Sequence, residues 1–110
     1  MNLILNQYLE ADAAEVAERL DSAVVHGIDA AATRISAPCA DVTTEHIDDG
    51  LRVTGGVDVL DGSELHVEGV DGLTIIEFRV PWTAGRSVES KLLAANAFAH
   101  TVAMEIDAAA

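Results

Sequence analysis

The chain has 110 residues, of which 50% are apolar and 23% are charged, and this composition predicts a single domain over residues 1–110. Its 19 acidic residues against six Lys and Arg give a formal charge of −13, which disfavours nucleic acid and anionic membranes as direct partners. The single cysteine excludes an intrachain disulfide, and no apolar run reaches membrane-spanning length. We expect a cytoplasmic protein, or a component of a particle assembled in the cytoplasm.

The acidity itself has two interpretations. A high-GC genome or a salt-adapted cytoplasm favours acidic surfaces for solubility. Selection for one basic protein partner has the same effect on composition. Both interpretations stay open at this point.

Alanine divides the chain into three segments. Residues 11–40 contain ten alanines, residues 41–83 contain none and residues 84–110 contain nine. Because alanine is the best helix former and is depleted in strands, the outer segments are predicted to be helical and the middle to form a sheet.

The first segment has apolar residues at helical spacing. Steps of four, three, four and three separate Leu9, Ala13, Val16, Leu20 and Ala23. The pattern predicts an amphipathic helix that begins between Asn2 and Asn6 and continues to Ile35. Pro38 prevents the helix from continuing further. Gly27 either interrupts this helix or allows close packing against it.

Three Asp-Gly pairs punctuate the middle segment, at 49–50, 61–62 and 71–72. Asp-Gly is favoured in tight hairpin turns, so we predict four strands over residues 42–48, 51–60, 64–70 and 73–82. A two-residue turn at Asp71-Gly72 places Val67 opposite Ile76 and Leu65 opposite Phe78. The alternation around the second pair instead requires a bulged three-residue loop over residues 61–63.

The last segment predicts a helix of about twenty residues with Ser87 as its N-cap. Its apolar stripe consists of Val88, Leu92, Ala95, Ala99, Val102 and Ile106. The predicted fold class is therefore α+β, a two-layer sandwich of an N-terminal helix, a four-stranded antiparallel meander and a C-terminal helix. Both helices are expected on the sheet face that bears Val57, Val67 and Phe78.

Established catalytic and cofactor motifs, such as a Walker loop, G-x-G-x-x-G, G-x-S-x-G or H-E-x-x-H, do not occur in the sequence. This pattern favours a protein that is not an enzyme and binds no cofactor or metal. Cys39 has no basic neighbour in sequence and is interpreted as a buried, unreactive thiol.

The most specific polar pattern is a row on the outer sheet face, in which His66 lies between Asp58 and Glu77 on neighbouring strands. Glu64 is expected opposite Arg79. Such a row is compatible with a pH-sensitive contact or a weak metal site, but a solvated polar face is the favoured interpretation.

A second candidate is an anion site formed by Gly85, Arg86 and Ser87, within the segment 82–87. Free N–H groups at a helix start, a glycine and an arginine suit a phosphate or carboxylate. An ordinary N-cap and a solvated arginine are the favoured interpretation.

Apolar residues also occur among the charges of the outer face, namely Leu60, Val70, Leu73 and Ile75. We predict a contact surface formed by Val70, Leu73 and Ile75, with Glu64 and Arg79 at its rim. The leading hypothesis is a non-catalytic assembly protein that forms a homo-oligomer or docks into a larger particle, for example as a virus-particle or accessory subunit.

Two alternatives come from other functional classes. One is a small enzyme or small-molecule-binding domain with a pocket between helices and sheet. The other is an acidic inhibitor or decoy that binds a basic protein surface, for which salt-sensitive binding is expected.

Overall fold

The computed structural model describes residues 2–82 and 85–109, which form an α+β fold. The strands are β1 (Asn2–Leu9), β2 (Val42–Ile47), β3 (Gly50–Gly55), β4 (Glu64–Val70) and β5 (Leu73–Pro81). The helices are α1 (Ala13–Arg34), α2 (Val88–Ala109) and a short 3-10 helix (Asp58–Leu60). The strands form one antiparallel sheet in the order β1-β5-β4-β3-β2.

The first element is a strand, so the predictions of an N-terminal helix starting before residue 10 and of a four-stranded sheet are wrong. β1 pairs with β5 over its whole length, from Asn2 opposite Pro81 to Leu9 opposite Thr74. This pairing joins segments about seventy residues apart in sequence. Local spacing placed Leu9 on a helical stripe, but the long-range ladder decided the conformation.

Helix α1 begins after Asp12, whose carboxylate accepts a hydrogen bond from the Glu15 N–H at 2.9 Å. It continues without interruption through Gly27 to Arg34. A Cβ at Gly27 would lie 2.8 Å from Val102 Cγ2 and 3.1 Å from the Phe98 carbonyl oxygen of α2. Gly27 therefore allows the close helix packing that was one of its two interpretations.

The hairpin between β4 and β5 has the predicted two-residue turn. Asp71 and Gly72 both have positive φ, 51° and 82°, as a type I′ turn requires. Leu65 lies opposite Phe78 and Val67 opposite Ile76, so the predicted register is confirmed.

The predicted second strand is too long, because β3 ends at Gly55. Gly55 and Gly56 have φ of 85° and 73°, which a continuing strand does not adopt. The connection to β4 then runs through the 3-10 helix and occupies residues 56–63, so the three-residue loop over 61–63 is wrong. At the first Asp-Gly pair, Asp48 and Asp49 form the turn and Gly50 already belongs to β3.

A single hydrophobic core lies between the helices and one face of the sheet, which we call the inner face. Phe78 of β5 meets Phe98 of α2 in an edge-to-face contact, with ring centroids 5.5 Å apart. Val57 and Val59 also reach this core, from the connection rather than from a strand. Among the described residues, neither helix is long and apolar enough to cross a membrane.

Candidate interaction surface

The sheet face that the helices do not cover, which we call the outer face, carries exposed apolar side chains. At the hairpin end, Val70 and Leu73 lie opposite each other and are 39% and 45% exposed. Ile75 follows on the same face and is half-buried. Glu64 and Arg79 lie opposite each other further along the same two strands, so the fold brings all five predicted contact residues onto one face.

Strand β1 extends this surface with residues that the sequence analysis missed. Tyr8 lies beside Ile75, and Ile4 lies beside Arg79. Their side chains are 65% and 51% exposed. The sequence holds no polar and apolar alternation that signals this strand, because residues 3, 4 and 5 are all apolar. Exposed and half-buried positions alternate along β1 only in the folded chain. Leu60, expected on this face, is instead fully buried in the 3-10 helix.

Charged side chains form a connected cluster next to the apolar residues, and we call Asp49, Arg52, Glu64 and His66 the charged cluster. The Arg52 guanidinium donates to Glu64 Oε2 from Nη2 at 2.9 Å and from Nε at 3.2 Å. His66 Nε2 lies 2.9 Å from the other Glu64 oxygen, and His66 Nδ1 lies 2.7 Å from Asp49. Only the imidazolium form can donate both of these hydrogen bonds.

These contacts stabilise the ionised carboxylate of Glu64. Hydrogen bonds from His66 and then from Arg52 hold the pKa of Glu64 below its usual value, against the opposing effect of burial. The same contact with Glu64 raises the pKa of Arg52. Glu64 and Arg52 therefore form an ion pair within the cluster.

The predicted row of Asp58, His66 and Glu77 forms only in part. Glu77 is the cross-strand neighbour of His66, but its carboxylate accepts from Arg79 Nη2 at 3.0 Å. Asp58 lies in the 3-10 helix rather than on a strand, so the prediction that it lies beside His66 is wrong. The carboxylates that reach His66 are Asp49, from the β2–β3 turn, and Glu64, from its own strand.

The predicted anion site lies where α2 begins. The Ser87 hydroxyl accepts from the Ser90 N–H at 3.1 Å, which confirms the N-cap. Arg86 Nε donates to both Asp58 oxygens, at 2.9 and 3.0 Å. A carboxylate of the chain thus already occupies Arg86, beside the exposed Gly85. Thr83 and Ala84 of the same segment lie outside the described residues.

The outer face also contains an open concavity of about 660 Å³. Its lining includes Tyr8, His66, Ile75 and Arg79. Within residues 2–82 and 85–109, no group of three or more His, Cys, Asp or Glu side chains is arranged to hold a metal ion. The concavity therefore offers an aromatic ring, an aliphatic side chain and paired charges.

Two single residues remain, Cys39 and Trp82. Cys39 is exposed, so its interpretation as a buried thiol is wrong. It lies in the segment between α1 and β2, where residues 38–41 are exposed. Trp82 lies just beyond β5, is 38% exposed and has Lys91 Nζ 4.6 Å from its ring centroid.

Comparison with known proteins relates this chain to others by fold alone. No protein-family model matches the sequence, and no curated protein matches it. Among solved structures, the crystal structure of Ara h 8.0201 is similar, with a TM-score of 0.55 and 12% sequence identity. The match covers 98% of this chain and 95% of that one. The likeness shows an α+β fold with an N-terminal strand, a helix, a five-stranded antiparallel sheet and a C-terminal helix.

Proposed function

We propose that this protein is a non-catalytic assembly subunit that associates with further copies of itself through the outer face of its sheet. The observation that carries the proposal is the group of exposed apolar side chains on this face: Ile4, Tyr8, Val70 and Leu73. The helices already cover the inner face, so nothing within the described chain covers these residues. Apolar residues bounded by charges are typical of contact surfaces. The same surface also suits docking into a larger particle.

The pairing of charges on the outer face supports close contact between two copies. Arg52 is paired with Glu64, and Arg79 with Glu77, within one chain. Because both guanidinium groups keep these partners, two outer faces can meet without leaving an arginine unpaired. Burial of the apolar side chains then supplies the favourable free energy, and the charges stay at a wet rim.

Light scattering coupled to size exclusion tests the proposal. The native protein at micromolar concentration is expected to have a mass above that of one chain. Ile75→Lys should reduce this mass, because the ammonium group would lie in the apolar contact while the inner core is unchanged. Val25→Lys, at an exposed position of α1, is the matched control and should leave the mass unaltered. A monomeric native protein, or an unaffected Ile75→Lys oligomer, would contradict the proposal.

A second candidate, small-molecule binding between the layers, has one observation in its favour. A concavity of about 320 Å³ lies between α1 and the β2–β3 hairpin, at the lower end of ligand-pocket volumes. Its lining includes the apolar residues Ala17, Leu20, Ile47 and Val67. Ala17→Trp should fill it and abolish binding of an apolar fluorescent probe such as anilinonaphthalene sulfonate. If the native protein does not enhance the fluorescence of this probe, the candidate is excluded for apolar ligands of that size.

A further inference from the structure

Strand β1 forms one edge of the sheet and is long, regular and uncharged. In the part of the chain that the structure describes, it pairs on one side with β5 and on the other side with no strand. The ladder to β5 has eight consecutive pairs without a bulge. Residues 2–9 contain no charged side chain, although 25 of the 110 residues are charged. An edge of this kind exposes a row of backbone groups that can pair with another strand.

The opposite edge of the sheet is protected in the usual ways. Strand β2 is shorter, at six residues, and carries Glu45 and His46. His46 Nε2 lies 3.4 Å from an Asp21 carboxylate oxygen of α1, and Glu45 lies near Arg52. Charged side chains and short length both discourage pairing with another chain. The two edges of one sheet therefore differ in the features that control association.

We propose that β1 pairs antiparallel with β1 of a second copy, joining two five-stranded sheets into one sheet of ten strands. This inference rests on the self-association in the proposed function, and it names the first contact that the two copies form. A two-fold axis perpendicular to the sheet would leave the helices of both copies on one side and place the two outer faces next to each other.

The side-chain pattern of β1 selects a register for this pairing. When Asn6 lies opposite Asn6 of the second copy, Ile4 faces Tyr8 on the outer side, and the reverse pair repeats the contact. On the inner side Leu3 then faces Leu9, and Leu5 faces Gln7. A shift of the centre to Leu5 would instead set Ile4 against Asn6 and Leu3 against Gln7, so that an apolar side chain faces an amide on both sides of the sheet. Aromatic–β-branched pairs favour the first register.

Partial burial along β1 also indicates a missing neighbour. Leu3 and Leu5 face the inner side but are only half-buried, unlike their pairing partners Val80 and Phe78 on β5. A strand at an edge has side-chain neighbours on one side only. A second β1 would supply neighbours on the other side.

The absence of charged side chains on β1 explains why a second copy can bind at this edge rather than elsewhere on the acidic surface. Two chains of charge −13 repel each other, and most contacts between them would bring carboxylates together. The β1 edge is a stretch of surface where strand pairing sets only neutral side chains against each other. Raising the salt concentration should accordingly strengthen the dimer, because it screens the remaining repulsion.

Engineered cysteines test the register directly. In a Cys39→Ser background, Asn6→Cys places two thiols on the two-fold axis, where paired Cα atoms are about 4.5–5.5 Å apart and a disulfide fits. Tyr8→Cys is the matched control, since its two copies would be separated by about 13 Å or more along the strands. Under mild oxidation, Asn6→Cys should give a covalent dimer on a non-reducing gel, and Tyr8→Cys should stay a single chain.

A charge exchange gives a second readout. Ile4→Glu with Tyr8→Glu sets like charges opposite each other and should dissociate the dimer, whereas Ile4→Lys with Tyr8→Glu sets opposite charges together and should restore it. Crosslinking at position 8 but not at position 6, or no restoration, would overturn the edge pairing. If these edge tests fail but Ile75→Lys still dissociates the native oligomer, only the edge pairing is overturned and the outer-face proposal stands. A monomeric native protein would overturn both.

Discussion

The two faces of the sheet differ most clearly at neighbouring residues of β5. Phe78 is fully buried against Phe98, whereas Glu77 is partly exposed and accepts a hydrogen bond from Arg79. These two side chains are adjacent along the strand, yet one packs between the two layers and the other lies on the surface. The inner face therefore supplies the packing that stabilises this fold, and the side chains of the outer face stay accessible for the association that we propose.

The largest expected effect breaks the inner face. Phe78→Ala should lower the free energy of unfolding by about 3–5 kcal/mol, because it leaves a cavity beside Phe98. Glu77→Ala is the matched control on the outer face and should change it by less than about 0.5 kcal/mol. Chemical denaturation measures both. Equally large losses would mean that a partner buries the outer face as well.

An intermediate effect is expected where the two helices meet above the inner face. Gly27→Val should destabilise the protein by about 1–3 kcal/mol, because the added side chain would overlap Val102 and Phe98 of α2. Ala14→Val, at an exposed position of the same helix, controls for the lower helix propensity of valine. Thermal and urea unfolding of the two variants compare them. If the two variants unfold alike, the helices do not pack closely at Gly27.

The smallest effect concerns the charged cluster of the outer face. The pKa of Glu64 is lowered in the folded protein, so its contribution to stability is complete above its usual value of 4.5 and is lost as the pH falls through the lower folded value. Glu64→Gln should therefore cost up to about 1 kcal/mol at neutral pH and nothing at strongly acidic pH. Urea unfolding at several pH values measures this difference. Glu68→Gln, at an exposed position on the same strand, is the matched control.

Much of the candidate surface was predictable because it depends on a short-range hairpin. The Asp71-Gly72 turn sets the register between β4 and β5, which places Val70, Leu73 and Ile75 on one face and Glu64 opposite Arg79. Asp58 was misplaced because the prediction extended β3 through Gly55 and Gly56. Consecutive glycines inside a predicted strand are a signal for a break, and here they ended it.

The sequence by itself determined the elements whose signals are local. Side-chain alternation assigned the inner and outer residues of β4 and β5, and a serine N-cap followed by an apolar stripe placed α2. Only the tertiary structure decided the conformation of residues 2–9. Their local pattern is compatible with helix or strand, and the hydrogen-bonding partner that selects the strand lies on β5, far away in sequence. Only the tertiary structure decided two side-chain contacts as well, that of Asp49 with His66 and that of Arg86 with Asp58. The residues of each pair are distant in sequence and meet only in the folded chain.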